Sequence, residues 1–127
     1  ADPKLIKLLK GRLTGTNNII GLRAAISSYQ DENFQKFCRQ KNNEAKEFVY
    51  KIFRKTGHRY LASHTNFIFF ETRLPIKEFE DAMKKRGILV GRPFPPYLDW
   101  CRLSMAKTEE MERFASAFEE VIGYKAA

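Results

Sequence analysis

Between residues 32 and 56 the apolar side chains Phe34, Phe37, Cys38, Ala45, Phe48, Val49, Ile52 and Phe53 keep returning to one face of a 3.6-residue period. That spacing predicts a long amphipathic helix, stopped by Gly57. Asp31 reads as its N-cap. Upstream, residues 18–30 are apolar and small (Ile19, Ile20, Leu22, Ala24, Ala25, Ile26), and Thr16 or Asn17 is placed to cap a helix there. A loop with Thr14, Gly15 and Thr16 separates it from a short first helix over 4–10, which carries Leu5, Ile6, Leu8 and Leu9 and ends at Gly11. Together these pieces predict a long helical arm, bent or broken near Asp31.

After Gly57 the period changes. Residues 59–62 and 66–71 read as strands, the second dense in Phe67, Ile68, Phe69 and Phe70. Pro75 starts a helix with Ile76, Phe79, Ala82 and Met83 facing inward, ended at Gly87. Residues 88–90 read as a short strand. Arg92-Pro93-Phe94-Pro95-Pro96 is a stiff loop that cannot sit inside a sheet. Residues 101–105 form a further strand, and Thr108 is expected to cap a last helix burying Met111, Phe114, Ala115, Phe118, Val121 and Ile122. Glu109 and Glu110 suit the positive N-terminus of that helix. The expected class is α+β: a long N-terminal helical arm, then a small sheet of about three to four strands covered by helices.

At 127 residues, with 43% apolar residues and eleven Phe, the chain is sized for one domain with a real core, and a folded rather than a disordered chain is expected. The formal charge of +8 admits nucleic acid, an anionic membrane surface or anionic small molecules as partners, beside the plainer reading of a basic solvated surface. Clusters such as Lys84-Lys85-Arg86 favour nucleic acid. Against it, no recognition motif is present, and the aromatics are expected on core faces rather than between basic residues on a sheet face. Cys38 and Cys101 have neither a disulfide framework nor metal-type spacing, and read as small apolar residues in a reduced, cytoplasmic compartment. His58 and His64 have no carboxylate or thiol cluster beside them, so no metal site is expected. No apolar run approaches a membrane span, and no signal-peptide pattern opens the chain.

The candidate chemistry centres on Arg102, inside the run Cys101-Arg102-Leu103-Ser104-Met105. Burying a guanidinium mid-strand costs several kcal/mol unless an anion meets it, so either a ligand carboxylate or a structural ion pair with Asp99 or Glu71 is expected there. Arginine suits the first task because its planar fork grips a carboxylate with two parallel hydrogen bonds.

The order Asn66-Phe67-Ile68-Phe69-Phe70, Arg86-Gly87-Ile88-Leu89-Val90, Cys101-Arg102-Leu103-Ser104 and Thr108-Glu109-Glu110-Met111 resembles the C-terminal small domain of fold-type I, pyridoxal-phosphate-dependent aminotransferases, closest to the histidinol-phosphate branch. The arm resembles the helix that joins large and small domains in that family. The resemblance implies three parts: residues 1–16 as the end of a large domain, 17–56 as the interdomain arm, and 57–127 as the small domain. It implies that Arg102 binds the substrate's α-carboxylate or equivalent anion. Arg92, one residue after Gly91, falls near the place of the family's phosphate-binding arginine, with a solvated loop role as the alternative. Asn66 is a lesser candidate, either at the interdomain seam or as a simple strand-start hydrogen bond. Tyr97 and Trp100 either line a substrate mouth or pack under the loop.

The family's Schiff-base lysine, in an S-K-x-x-G-L-R context, has no counterpart here. Gly21-Leu22-Arg23 lacks the S-K pair before it. The resemblance therefore implies a fragment inactive alone, with no catalytic residue of its own and no cofactor held covalently. The parent would use pyridoxal phosphate, act on an anionic amino acid or amino-acid phosphate, pair this chain with its own large domain, and form a homodimer. A related amino-acid-phosphate decarboxylase is the alternative within the same fold.

Overall fold

The computed structural model describes residues 2–12, 15 and 18–123. Along them run α1 (Pro3–Lys10), α2 (Ile19–Gln30), α3 (Glu32–Thr56), β1 (Tyr60–Leu61), β2 (Phe67–Glu71), α4 (Ile76–Lys84), β3 (Trp100–Ser104) and α5 (Thr108–Val121). Contacts divide the chain into two compact units, residues 1–36 and 37–127. In the first unit α1 and α2 bury none of their residues, and Leu8, Ile19, Ile20 and Tyr29 are exposed. Asn18 caps α2, its side chain accepting from the Gly21 amide at 2.9 Å. The other candidate caps, Thr16 and Asn17, and Thr14 of the expected loop lie outside the described residues. Asp31 caps α3 as expected, accepting from the Phe34 amide at 2.9 Å.

In the second unit β2 is the central strand, paired antiparallel with β1 on one side and β3 on the other. Its residues alternate. Ile68 and Phe70 are fully buried, facing the core beside Leu103 and Cys101 of β3. Phe67, Phe69 and Glu71 are half-buried and point to the opposite face. The core is filled by Val49 and Phe53 of α3, Phe79 and Met83 of α4, and Phe114 and Phe118 of α5, all essentially inaccessible to solvent. The Phe53 ring stacks on Phe70 at 4.4 Å. Burial pushes the Cys101 thiol up to about 12, so it packs as a small apolar residue. Cys38 departs from the expectation for an apolar residue, because it is exposed.

Gly57 ends α3 at φ +69°, a left-handed conformation that glycine adopts without a Cβ penalty. Its amide bonds the Arg54 carbonyl at 3.3 Å, and the His58 amide reaches the Phe53 carbonyl at 2.9 Å, the paired pattern of a Schellman cap. Arg73, itself at φ +56°, donates from its guanidinium to the Gly57 carbonyl, closing the same end.

Two expected elements differ. Residues 88–90 are not a strand, because the Ile88 amide turns back to the Met83 carbonyl and the segment meets β3 through the Gly91 amide alone. A single bond makes no ladder. Thr108 is the first residue of α5 rather than its cap. The N-cap is Lys107, whose amide is held by the Glu110 carboxylate at 3.2 Å.

Behind the sheet, His58 is 6% exposed and lies edge-on to Phe118 at 5.0 Å. The Thr56 hydroxyl donates to the Ile52 carbonyl at 2.9 Å, so it accepts from His58 Nδ1–H at 2.9 Å and Nε2 is left as a bare, buried acceptor. Burial, with the charge of Arg73 adding to it, holds this imidazole below the usual histidine range. A base depressed in the folded state binds its proton first in the unfolded chain. Its contribution is therefore complete above about pH 6.5 and is lost as pH falls through that value toward the folded pKa. Urea unfolding midpoints should fall between about pH 7.5 and pH 5.5, and His58→Gln should flatten that slope. Parallel slopes for the two proteins would assign the acid sensitivity elsewhere.

Candidate functional site on the open sheet face

The face of the sheet turned away from the helices carries the candidate chemistry. Period-two alternation puts Phe67, Phe69 and Glu71 of β2 there, with Trp100, Arg102 and Ser104 of β3. The loop 93–99 folds toward it. The Tyr97 amide bonds the Phe94 carbonyl at 2.8 Å, and the buried Thr72 fixes the far end of the loop through its amide and hydroxyl, both donating to the Asp99 carbonyl at 2.7 and 2.8 Å. Phe69 is the hub, with Phe94 at 6.1 Å and Tyr97 at 6.0 Å edge-on and Trp100 tilted at 5.3 Å.

Arg102 stands opposite Phe69 in the ladder and is exposed. Its guanidinium carbon lies 5.4 Å from the Phe67 ring and 5.5 Å from the Phe94 ring. The expected burial penalty is therefore absent, because the side chain is exposed and its guanidinium lies over aromatic rings rather than within the core. The alternative ion pairs are absent too. Glu71 is taken by Arg59, which donates to it twice, at 2.8 and 2.6 Å. That clamp holds the Glu71 carboxyl below its usual range. Among the described residues neither Arg102 nor Arg92 forms an ion pair.

Arg92 comes to the same place. Its guanidinium carbon is 4.8 Å from the Phe94 ring, so the two arginines share one aromatic side chain. A cavity of about 400 Å³ is lined by residues 87–91, by Arg102 to Ser104 of β3, and by α5 residues including Glu110, Met111 and Arg113. Asn66 is not drawn into the pair. It is exposed, and its carbonyl accepts the Met105 amide at 2.8 Å, a strand-start bond.

The aromatic bed is what sequence reasoning missed. Phe67 and Phe69 were expected on the core face, whereas they interleave with Arg102 on the open one. The alternation in Phe67-Ile68-Phe69-Phe70 carried that signal, since only one residue of each neighbouring pair can face the helices. The interleaving also removes one argument against nucleic acid, although Arg59 is neutralised by Glu71.

Lys46 is the buried lysine among the described residues, and its ammonium is committed to the Ser63 carbonyl at 2.8 Å. No cluster of three His, Cys, Asp or Glu side chains able to hold a metal occurs among the described residues. None of the described helices is long and apolar enough to cross a membrane.

Comparison with known proteins gives the class of this arrangement first. The fold is that of an aminotransferase segment. A crystal structure from Erwinia carotovora atroseptica, of a protein provisionally named as a histidinol-phosphate aminotransferase, superposes with a TM-score of 0.89 at 31% identity. The match covers 97% of this chain and 36% of that one. The particular relatives are histidinol-phosphate aminotransferases. The enzyme of Symbiobacterium thermophilum is 29% identical over 108 residues, 84% of this chain and 30% of its own length. The Sinorhizobium meliloti enzyme, solved in complex with pyridoxal-5'-phosphate, superposes with a TM-score of 0.68 at 28% identity over 84% of this chain and 30% of its own. No family model matches. The chain is similar to a segment of histidinol-phosphate aminotransferases, and it spans about 30% of the length of the curated relatives it matches.

Proposed function

We propose that this chain is the substrate-anion-binding part of a pyridoxal-phosphate-dependent aminotransferase, with Arg102 as the residue that holds the anion. The observation that carries the reading is a guanidinium without a carboxylate partner, set on an open, aromatic-lined sheet face in a fold shared with aminotransferases. A planar fork in that position is free to take a carboxylate by two parallel bonds. Phe67 and Phe94 limit where the fork can swing, which reduces the entropy lost when a ligand is gripped.

In this reading residues 57–127 form the small domain, 17–56 the arm and 1–16 the end of a large domain. The cofactor supplies an electron sink for carbanion chemistry at the substrate's α-carbon. The lysine and the remaining cofactor contacts belong to that large domain, so the segment is inactive alone. Its contribution is to orient the substrate and to help exclude water. The parent is a cytoplasmic biosynthetic homodimer acting on an amino acid or amino-acid phosphate.

Intact mass of the protein in its native source tests this directly. The expected product is about three times the length of this chain, in line with the relatives' lengths, and the proposed reading expects a Ser-Lys motif in the part that precedes it. A native product of this chain's size would sink the catalytic reading.

A further inference from the structure

The turn after β2 ties two parts of the second unit together. On one side Arg73 donates from its guanidinium to the carbonyl of Gly57, where α3 ends. On the other, the Thr72 amide and hydroxyl reach the Asp99 carbonyl, and the Ile76 amide reaches the Leu98 carbonyl at 2.7 Å. One turn thus holds both the end of α3 and the loop that borders the open sheet face. His58 sits at the first of these ties. It follows Gly57 directly, and a cavity of about 450 Å³ is lined by Thr56, His58, Thr72 and Arg73, with Val121 and Ile122 on the α5 side.

The groups around His58 decide how it meets a proton. Nδ1 is bonded to the Thr56 hydroxyl, and the buried Nε2 has no partner. Arg73 is the cation that acts on the ring and Glu71 the carboxylate, but both Glu71 oxygens are taken by Arg59. From α5 comes the Phe118 ring, and the adjacent Glu119 is paired with Lys55 at 3.1 Å. A proton on Nε2 therefore makes a buried cation without an acceptor among the described residues, beside a second cation. The imidazole is fixed by burial, whereas the Arg73 side chain is exposed and can leave. Arg73 also stands at φ +56°, a conformation that a residue other than glycine keeps only where its surroundings hold it. Once the guanidinium is released the backbone can relax, and Thr72 and Leu74 move with it.

We propose that His58 and Arg73 form an acid-sensitive latch: a proton on His58 drives Arg73 off the Gly57 carbonyl, water enters the cavity, and the turn over 72–76 slackens its hold on the loop over 93–99. The latch does not rest on what the open face binds. It also differs from a general loss of stability, because the loop loosens while the helices and sheet stay folded.

Trp100 is the chain's only tryptophan and follows Asp99 directly, so its fluorescence reads the loop. In the 127-residue chain it should change between about pH 7.5 and pH 5 while far-UV circular dichroism stays constant. Glu71 remains ionised over that range, because Arg59 holds its carboxyl low. Hydrogen exchange at the Ile76 amide, corrected for its intrinsic rate, should quicken about fivefold or more over the same range. His58→Gln should abolish both changes. Arg73→Asn, which keeps a side chain tolerant of the left-handed region, should show the wild-type acid signal already at pH 7.5 and change no further. Should His58→Gln fail to fold, Arg73→Asn decides alone, and wild-type behaviour in it overturns the latch. A transition that survives in His58→Gln overturns it too, as does a wild-type signal that never changes or one that changes only together with the circular dichroism.

Discussion

Replacing Phe118 by alanine should remove most of the stability of the unit over residues 37–127. Phe118 is fully buried and meets rings from every layer around it: Phe53 of α3 at 5.6 Å, Phe70 of β2 at 5.8 Å, Phe79 of α4 at 6.1 Å and Phe114 one turn back at 5.5 Å. A buried Phe→Ala change costs about 3–5 kcal/mol, through lost transfer energy and the cavity left behind. Domains of this size have only about 5–15 kcal/mol in hand. The void cannot collapse easily, since its walls are rings held by three helices and a strand. Urea unfolding should show a large fall in midpoint for Phe118→Ala and a smaller one for Phe118→Leu, which refills part of the volume. An alanine variant with an unaltered midpoint would mean that the aromatic cluster does not organise this core.

Arg102→Ala should have the second-largest effect, on function rather than folding. If Arg102 holds the substrate anion as proposed, its loss from a complete enzyme carrying this segment should lower kcat/KM by roughly 30- to 1000-fold, or about 2–4 kcal/mol, mostly through KM. Turnover falls as well if the anion contact aligns the reacting bond. Arg102→Lys should recover only part, because an ammonium cannot make two parallel bonds to one carboxylate. The fold should hardly notice, since the exposed guanidinium contributes only ring contacts of about 0.5–1 kcal/mol each. Wild-type kinetics in Arg102→Ala would remove the residue from the site.

These two residues show how far the sequence could be read. Phe118 was legible as core because α5 repeats its apolar positions at helical spacing, and the same rule placed Val49, Phe53, Phe79 and Met83. Arg102 was legible as a candidate, but for a reason that did not survive. Its neighbours Cys101 and Leu103 are buried, and a strand of apolar residues looks buried throughout until alternation is applied to it. What stayed illegible depends on long-range pairing. Nothing local says that Gly91 touches Arg102 or that Phe94 returns to β2, because those contacts are set by how the Pro-rich loop closes. Residues 88–90 had the composition of a strand, and only the missing ladder of hydrogen bonds denies it. In α1 and α2 the apolar residues were legible, but composition carries no information about what covers them.

The two ends of the sheet have a consequence for solubility. A strand with a free row of amides and carbonyls is a template on which another chain can add. Here the outer row of β1 is only two residues long, too short to hold a foreign strand in register. On the other side the Arg102 carbonyl is already occupied by the Gly91 amide, and the prolines at 93, 95 and 96 have no amide to offer to a growing ladder. The β1 border is thus guarded by its brevity, while the β3 border is interrupted at Arg102 and followed by a proline-rich loop that cannot extend a ladder.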